Sequence, residues 1–381
     1  MNLQLKQWID GTIGRGLAAI NVVLVRGVGL ILKRDHSLKE APENILVIKM
    51  LGLGSILMAM DSLHALKIKY PNAKLILMTG KGVAPGIEPL QFFDEIWVHN
   101  DKSIFKLVSS GFQLLFKSWN LKKLWVVDLE VYSVLTTLFS AWTMAQNRFG
   151  FQLNKVHFRN YLNTHNSYFN QFVTVTENYE LLIQQMNVKE AIPYIIQLKE
   201  KNPKPVIDFI AINNTCSDLG GNLRKIEPAL LKEIIELILN QSQLKIALTG
   251  APSDFYENDR FVNTFGLENN ERVKNIAGKL SFKEYYEFLQ FECKAMISID
   301  SAPLHMAMRL GLKTFSLWGP INPQQRFKFE NQDKHSFHFL HKNCSPCIHL
   351  SDIVPCGGNN HCMKDMQLNQ IKEQILKLIS A

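Results

Sequence analysis

The stretch Lys294–Pro320, KAMISIDSAPLHMAMRLGLKTFSLWGP, constrains the fold more than any other part of the chain. Ala295–Ile299 is a short apolar run rich in β-formers, as a buried strand should be. Asp300 and Ser301 follow, and either side chain can cap a helix by accepting its free N–H groups. Pro303 sits near the first helical turn, where its missing N–H costs nothing. Leu304 to Leu310 has a helical pattern, Gly311 ends it, and Thr314–Trp318 is a second strand before the Gly319–Pro320 turn. Strand, helix and strand in this order make a parallel α/β unit. Asp300, Ser301 and His305 then lie where a strand's C-terminal end meets a helix N-terminus, where open α/β sheets bind ligands and anions are favoured. The same residues also suit a well-capped helix that binds nothing.

The unit recurs along the chain. Asn44–Met50 is an almost continuous apolar strand, followed by the LGLGS loop (Leu51–Ser55) and an amphipathic helix from Ile56 to Tyr70. Gly52 and Gly54 permit a tight turn and close backbone approach, although no complete G-x-G-x-x-G is present. Further strands are expected at Lys74–Thr79, Asp94–Val98, Leu124–Glu130 and Phe149–Phe151, with a helix over Tyr132–Ala145. Asp128 and Glu130 end the fourth strand, either facing a ligand crevice or capping that helix. Asn160–Asn178 reads as loop, and the proline- and lysine-bearing Val188–Pro205 as a crossing. The alternation then restarts at Val206–Asn213 and continues through Leu244–Thr249, the GAPSD turn (Gly250–Asp254), Val273–Ile276 and a helix over Phe282–Gln290 begun by a Ser281–Glu284 capping box. The expected organisation is an N-terminal segment 1–43, an α/β domain 44–200, a second α/β domain 201–365 and a final helix 366–381, the two domains facing a central crevice.

Size and charge agree. A chain of 381 residues is too long for one small core. With 46% hydrophobic and 20% charged residues it is globular, and a net charge of +8 favours anionic ligands or a membrane surface over a dedicated nucleic-acid role. In residues 1–43 the apolar run Leu17–Val25 continues after Arg26 as Gly27–Leu32. Charge and glycine interrupt it, so it makes a poor spanning helix. At 3.6 residues per turn Arg15, Arg26 and Lys33 fall within about 20° of each other. Ile13, Leu17, Ile20, Leu24 and Ile31 fall largely elsewhere. A basic stripe beside an apolar face suits a helix in the membrane interface, or one packed on the protein's own core. No secretory signal pattern is present, so a cytoplasmic location, peripheral at the inner face of the membrane, is expected. Four of the six cysteines cluster as Cys344-x2-Cys347-x8-Cys356-x5-Cys362, with His341, His349 and His361 nearby. This has metal-ligand character, although the spacing fits no standard zinc ribbon; bound zinc, free thiols and a disulfide all stay open.

The segment Asn275–Pro323 resembles the signature of the lipopolysaccharide heptosyltransferase family, glycosyltransferase family nine, of GT-B fold. That pattern combines an AGK-[TL]-S turn, D-[ST]-G-x-x-H and a later [FY]-G-P-x-x-P. Ala277–Lys279, Asp300–His305 and Gly319–Pro323 stand in those places, with Ala302 where glycine is usual. GAPSD is similar to the family's G-x-P-x-E turn, with Asp254 in the acidic place. The resemblance implies two doubly wound, Rossmann-like domains. It also implies a bacterial, metal-independent enzyme that transfers a sugar with inversion from a nucleotide-sugar, commonly ADP-heptose, to a glycolipid acceptor. Asp300, Ser301, Ala302 and His305 would hold the donor's phosphates and adjacent groups, Arg224 or Lys225 would neutralise the leaving diphosphate, and Asp254 would bind the ribose. No cofactor would be needed for catalysis, with zinc at most structural, and the last helix would brace the N-terminal domain. One departure bears on activity. Ser55 stands where the family's loop carries its presumed catalytic aspartate, and serine is no base at neutral pH. Some relatives pair that serine with an acidic D-x-E, which Asp128–Glu130 matches. Glu130, supported by Asp128, is therefore the expected base; a nucleotide-sugar-binding homologue without activity is the alternative.

Overall fold

Two sheets, each of six strands, organise the protein. The computed structural model describes residues 5, 8–153, 158–199, 206–216, 221–326, 334–348, 350 and 354–380. The chain divides into two units, Met1–Tyr194 and Ile195–Ala381.

In the first unit the strands are β1 (Asn44–Ile48), β2 (Lys74–Gly80), β3 (Glu95–His99), β4 (Leu124–Asp128), β5 (Asn147–Gln152) and β6 (His165–Tyr168). They run parallel in the order β3-β2-β1-β4-β5-β6. A strand covered by helices on both faces must be apolar along its whole length. NILVI and LWVVD meet that demand, and β4 is buried throughout. The helices are α1 (Arg15–Leu32), α2 (Leu53–Lys69), α3 (Ile104–Trp119), α4 (Val134–Trp142) and α5 (Val175–Gln184). The expected loop at Asn160–Asn178 is corrected by β6, which pairs with the edge of β5. HNSY has no apolar run to announce it, because an edge strand needs less burial.

The second unit repeats the plan. Its strands are β7 (Phe209–Asn213), β8 (Lys245–Leu248), β9 (Val273–Asn275), β10 (Cys293–Ile299), β11 (Lys313–Trp318) and β12 (His335–Phe339). All are parallel, in the order β12-β11-β10-β7-β8-β9. The helices are α6 (Pro228–Gln241), α7 (Phe255–Thr264), α8 (Phe282–Phe291), α9 (Ala302–Arg309) and α10 (Leu368–Ser380). The capping box at Ser281 is present. The last helix, expected to brace the N-terminal domain, packs into the core of its own unit. Ile371, Ile375, Leu378 and Ile379 of α10 lie buried in the second unit's own core, with Ile234 of α6 and Phe315 of β11. The crossing segment and the turn after β7 lie in part (200–205 and 217–220) outside the described residues.

The N-terminal segment belongs to the first unit. A π-helical turn, Asp10–Gly14, leads into α1. Asp10 accepts hydrogen bonds from Ser133 Oγ (2.8 Å), Val134 N (2.9 Å) and Leu135 N (2.9 Å), and so caps α4 from over a hundred residues away. Ser133 adds the local cap by accepting from Thr136 N. Along α1, Gly14, Ala18 and Asn21 face inward. Asn21 accepts from Trp142 Nε1 at 2.6 Å. The expected interruption at Arg26–Gly27 does not break the helix. Asp10–Leu32 runs for 23 residues, long and apolar enough to cross a membrane by length and composition, with 11% of its most apolar stretch buried.

The Asp10 cap gives a direct test. Asp10→Ala leaves the α4 N–H groups without their acceptor and should lower stability by about 1–2 kcal/mol. Thermal denaturation checks this; an unchanged melting temperature would mean the cap carries no weight.

Candidate active site

In a doubly wound sheet the two strands that flank the reversal of strand order splay apart at their C-terminal ends and leave room for a ligand. The reversal lies between β1 and β4 in the first unit and between β7 and β10 in the second. Both points carry buried charge.

In the second unit Asp300 leaves the end of β10 with only 10% of its side chain exposed. Arg224 Nη1 donates to the Asp300 backbone oxygen at 3.1 Å and lies 3.5 Å from Oδ2. Arg326 Nη2 lies 3.8 Å from Oδ2, and His305 Nε2, from the first turns of α9, lies 3.6 Å from Oδ1. Burial would push the Asp300 carboxyl up. The hydrogen bond to His305 and the charges of Arg326 and Arg224 outweigh it and hold the carboxyl well below the usual aspartate range. Two guanidinium groups against one carboxylate leave a local excess of positive charge. Arg326 Nε is buried with no hydrogen-bond partner among the described residues.

The expected cap by Asp300 or Ser301 is corrected here. Ser301 occupies the N-cap position of α9, but its side chain makes no capping bond. Its hydroxyl accepts from Asn213 Nδ2 (2.9 Å) at the end of β7 and meets Ser298 Oγ (3.2 Å). These contacts tie the two switch-point strands together and leave the first-turn N–H groups of α9, starting at Ala302, without a cap from the Ser301 side chain among the described residues. Such groups bind anions. Asp300, by contrast, is itself an anion, and it orients cations where it was expected to hold phosphate directly.

The other expected donor residues separate into two kinds. Lys225 turns away to Glu257, 2.6 Å distant, so of the Arg224–Lys225 pair it is Arg224 that lies at the site. Asp254 Oδ2 accepts from Ala251 N at 2.7 Å and closes the GAPSD turn on itself. The AGK turn packs against it: Gly278 N donates to Gly250 O at 3.0 Å. Gly278 has φ +69°, and a Cβ there would stand 2.5 Å from Pro252 Cα, so only glycine fits.

The cysteine-bearing segment braces this site. Cys344, Cys347, Cys356 and Cys362 line one small cavity with Pro320 and Leu223. All are free thiols. Among the described residues no group of three or more His, Cys, Asp or Glu side chains is arranged to hold a metal ion, and His349 lies outside them. The convergence expected from the spacing is therefore present, but a closed ligand set is not. Backbone contacts do the bracing. Cys347 N and Ile348 N donate to Pro320 O at 3.0 and 3.1 Å, and Ser345 Oγ donates to Gly319 O. Asn360 Nδ2 donates to Asn222 O and Leu223 O, each at 3.3 Å, in the turn that carries Arg224.

In the first unit Lys49 follows β1, and its ammonium donates to Glu130 Oε2 at 2.8 Å. Glu130 Oε1 accepts from Met50 N (2.8 Å) and Leu51 N (3.3 Å), so one carboxylate holds the whole start of the glycine loop. Burial would lower the Lys49 amine, but Glu130 more than offsets it and raises it above its ordinary value. Asp128 does not join Glu130 at the surface. It is fully buried, 2.6 Å from Arg159 Nη2, and accepts from Thr136 Oγ1 at 3.0 Å. Burial pushes its carboxyl up to about 6, against the pull of Arg159. The expected shared face fails because β4 ends at Asp128 and the chain turns before Glu130. Asp128 is thus a structural group. The loop is also shorter than expected: Gly52, with φ +85°, is the N-cap of α2, while Gly54 and Ser55 already lie in its first turn.

Arg326 and Lys49 escaped the sequence reading. Their signals were present: an arginine three residues past Gly319–Pro323, and a lone lysine closing an apolar strand.

Residues 231–356 match the model of Glycosyltransferase family 9 (heptosyltransferase). This segment is thus similar to glycosyltransferase family 9. The family 9 match covers β8 to β12, α9 and much of the cysteine-bearing segment, and it agrees with the resemblance carried by Asp300–His305. The chain is similar to lipooligosaccharide heptosyltransferase 2 of Campylobacter jejuni, 32% identical over 112 residues, which are 29% of this chain and 34% of that protein. The aligned stretch thus spans about a third of that relative's length. Among solved structures, E. coli ADP-heptose lps heptosyltransferase II has a TM-score of 0.68 at 16% identity, over 88% of this chain and 98% of that one. E. coli heptosyltransferase WaaC with ADP-2-deoxy-2-fluoro heptose has a TM-score of 0.62 at 13% identity, over 87% and 99%. The fold is GT-B-like, with a parallel six-stranded sheet in each unit.

The sign of the Asp300 shift predicts a pH dependence. A carboxyl held below its unfolded value of 3.8 contributes stability that is complete above that value and lost as pH falls through and below it. Asp300→Asn should therefore destabilise by about 3 kcal/mol near neutral pH, where it leaves two guanidinium groups unpaired. The deficit should shrink as the pH falls below about 4. Melting curves of both proteins across that range check it; a constant deficit would place the effect elsewhere.

Proposed function

We propose that the protein is an inverting glycosyltransferase that moves a heptose from ADP-heptose to a lipid-linked saccharide of the lipopolysaccharide or lipooligosaccharide type. The observation that carries this is the positive excess at the β7/β10 switch point, formed by Arg224 and Arg326 around Asp300 beside the uncapped N-terminus of α9. A departing nucleoside diphosphate needs fixed positive charge and aligned N–H dipoles, which matter most where charge develops as the bond breaks. Protein cations supply that charge on this reading, and a metal ion is not required. The likeness to an E. coli ADP-heptose heptosyltransferase, and to another E. coli heptosyltransferase with ADP-2-deoxy-2-fluoro heptose, supports ADP-heptose as the donor class. The basic, apolar N-terminal helix would keep the enzyme at the cytoplasmic face of the membrane, where a lipid-linked acceptor is found.

The acceptor hydroxyl must lose a proton as it attacks. Glu130 is the proposed base. Its carboxylate has about four acceptor sites, and Lys49, Met50 N and Leu51 N occupy three, which leaves one on Oε2. The same three bonds favour a second reading, in which Glu130 only shapes the loop and the protein binds nucleotide-sugar without turning it over.

One experiment separates the two. ADP-heptose turnover and ADP affinity are measured for Arg224→Ala and Glu130→Gln. The first should weaken ADP binding about tenfold or more, by loss of a charge-assisted bond. The second should keep ADP affinity and lose on the order of 10²–10⁴ in turnover. Wild-type protein that binds ADP but yields no product from any glycolipid acceptor would support the binding-protein reading, and unchanged ADP affinity in Arg224→Ala would remove the donor site.

A further inference from the structure

Helix α1 packs with its sides reversed. A helix on a water-soluble domain buries its large apolar residues and exposes its polar ones. Here the fully buried positions are small or polar, Gly14 at the N-cap, Ala18 and Asn21, and Leu17, Val22 and Val25 are only partly buried beside them against Val134, Leu138 and Ala141. Most of the other large side chains point outward: Ile20 is 61% exposed, Val23 72%, Leu30 78% and Ile31 80%.

Helix α3, some seventy residues later, carries a second such stripe. Phe105, Val108, Phe112, Phe116 and Trp119 follow one another at spacings of three and four, the repeat that lines one helix face. All are exposed, Phe105 by 81% and Phe116 by 55%. Only Leu115 and Ser118 of this helix are buried.

The two helices share one residue, Trp142, as a hydrogen-bond partner. Trp119 Nε1 donates to Trp142 O at 2.8 Å, and Trp142 Nε1 donates to Asn21 Oδ1 at 2.6 Å, so the end of α4 is gripped by α3 through its backbone and by α1 through its ring. Arg34, just past α1, donates to Met144 O at the same end, and Met144 is itself 41% exposed.

Charge decides what covers this surface. Residues 15–34 contain Arg15, Arg26, Lys33 and Arg34 and no acid, and residues 102–123 contain five lysines and no acid. Two of those lysines are held within the unit, Lys117 by Glu95 and Lys123 by Glu40 and Glu43. A protein interface has a rim of mixed polar character. Apolar helix faces on segments that carry basic residues and no acid of their own match the acyl–headgroup boundary of an anionic bilayer, where each nearby Lys or Arg adds about 1 kcal/mol.

We propose that α3 is a second lipid-contact helix, and that the outer stripes of α1 and α3 form one docking face for an anionic bilayer. It extends the membrane contact proposed for the N-terminal helix and can fail without affecting sugar transfer, because ADP binding is measured in parallel. The full-length protein is sedimented with vesicles of phosphatidylcholine and phosphatidylglycerol in equal parts, and with phosphatidylcholine alone. Phe112→Ser combined with Phe116→Ser, with α1 intact, should lower partition onto the anionic vesicles by about tenfold or more. Lys106→Glu with Lys122→Glu should lower it to a similar degree on the anionic vesicles only. ADP affinity and the melting temperature should stay at wild-type values in both. Wild-type partition by the phenylalanine variant overturns the proposal. So does wild-type protein that fails to bind anionic vesicles, or self-association that the phenylalanine variant abolishes without any change in partition, since a second copy would then cover α3.

Discussion

A carboxylate removed from water must be given cations, and the second unit is arranged around that requirement at Asp300. The carboxylate sits at the end of β10, where the sheet's order reverses. Its partners come from three separate places: Arg224 in the turn before α6, His305 in the first turns of α9, and Arg326 in the segment after the Gly319–Pro323 turn. Each provider is held in turn by something else. The Arg224 turn is gripped by Asn360, the Gly319–Pro320 turn by Ser345 and Cys347, and the start of α9 by the Ser301–Asn213 bond. The cysteine-bearing segment is then a buttress for the anion site, and its place near the end of the chain follows from what it supports.

The first unit uses the same sheet topology, again around a carboxylate. At its switch point one carboxylate, Glu130, gathers a lysine and two backbone N–H groups. Behind it Asp128 and Arg159, both fully buried, lock β4 to the turn that follows. A buried pair of this kind is costly to break from one side, whatever its net worth. It therefore fixes the loop in a single arrangement more than it adds stability. The two units thus offer complementary chemistry: excess positive charge at one switch point, and an ordered carboxylate at the other.

The sequence made the central strands legible because a strand buried on both faces must be largely apolar, as NILVI, LWVVD and CKAMISI are. It hid the edge strands HNSY and HSFHF for the same reason, since an edge relaxes that demand. Motif residues told where the site lies but not what each does. Asp300 was legible as a site residue, whereas its role as an anchor for cations depends on Arg224, 76 residues away. Asp128 looked like a partner for Glu130 by alternation; its actual partner, Arg159, is 31 residues further on. The inverted packing of α1 was invisible in its composition, because an apolar helix reads alike whichever face it buries.

The central claim is that the positive cluster around Asp300, with the α9 N-terminus, holds the nucleotide diphosphate of a sugar donor. Hydrogen–deuterium exchange with ADP, followed by peptide, tests it most directly. ADP should slow exchange in the first turn of α9, over Ala302–His305, and in the Arg224 turn, over 222–226, because those amides gain a partner or lose mobility. Exchange that ADP leaves unchanged in both segments, or slows only within the first unit, would contradict it.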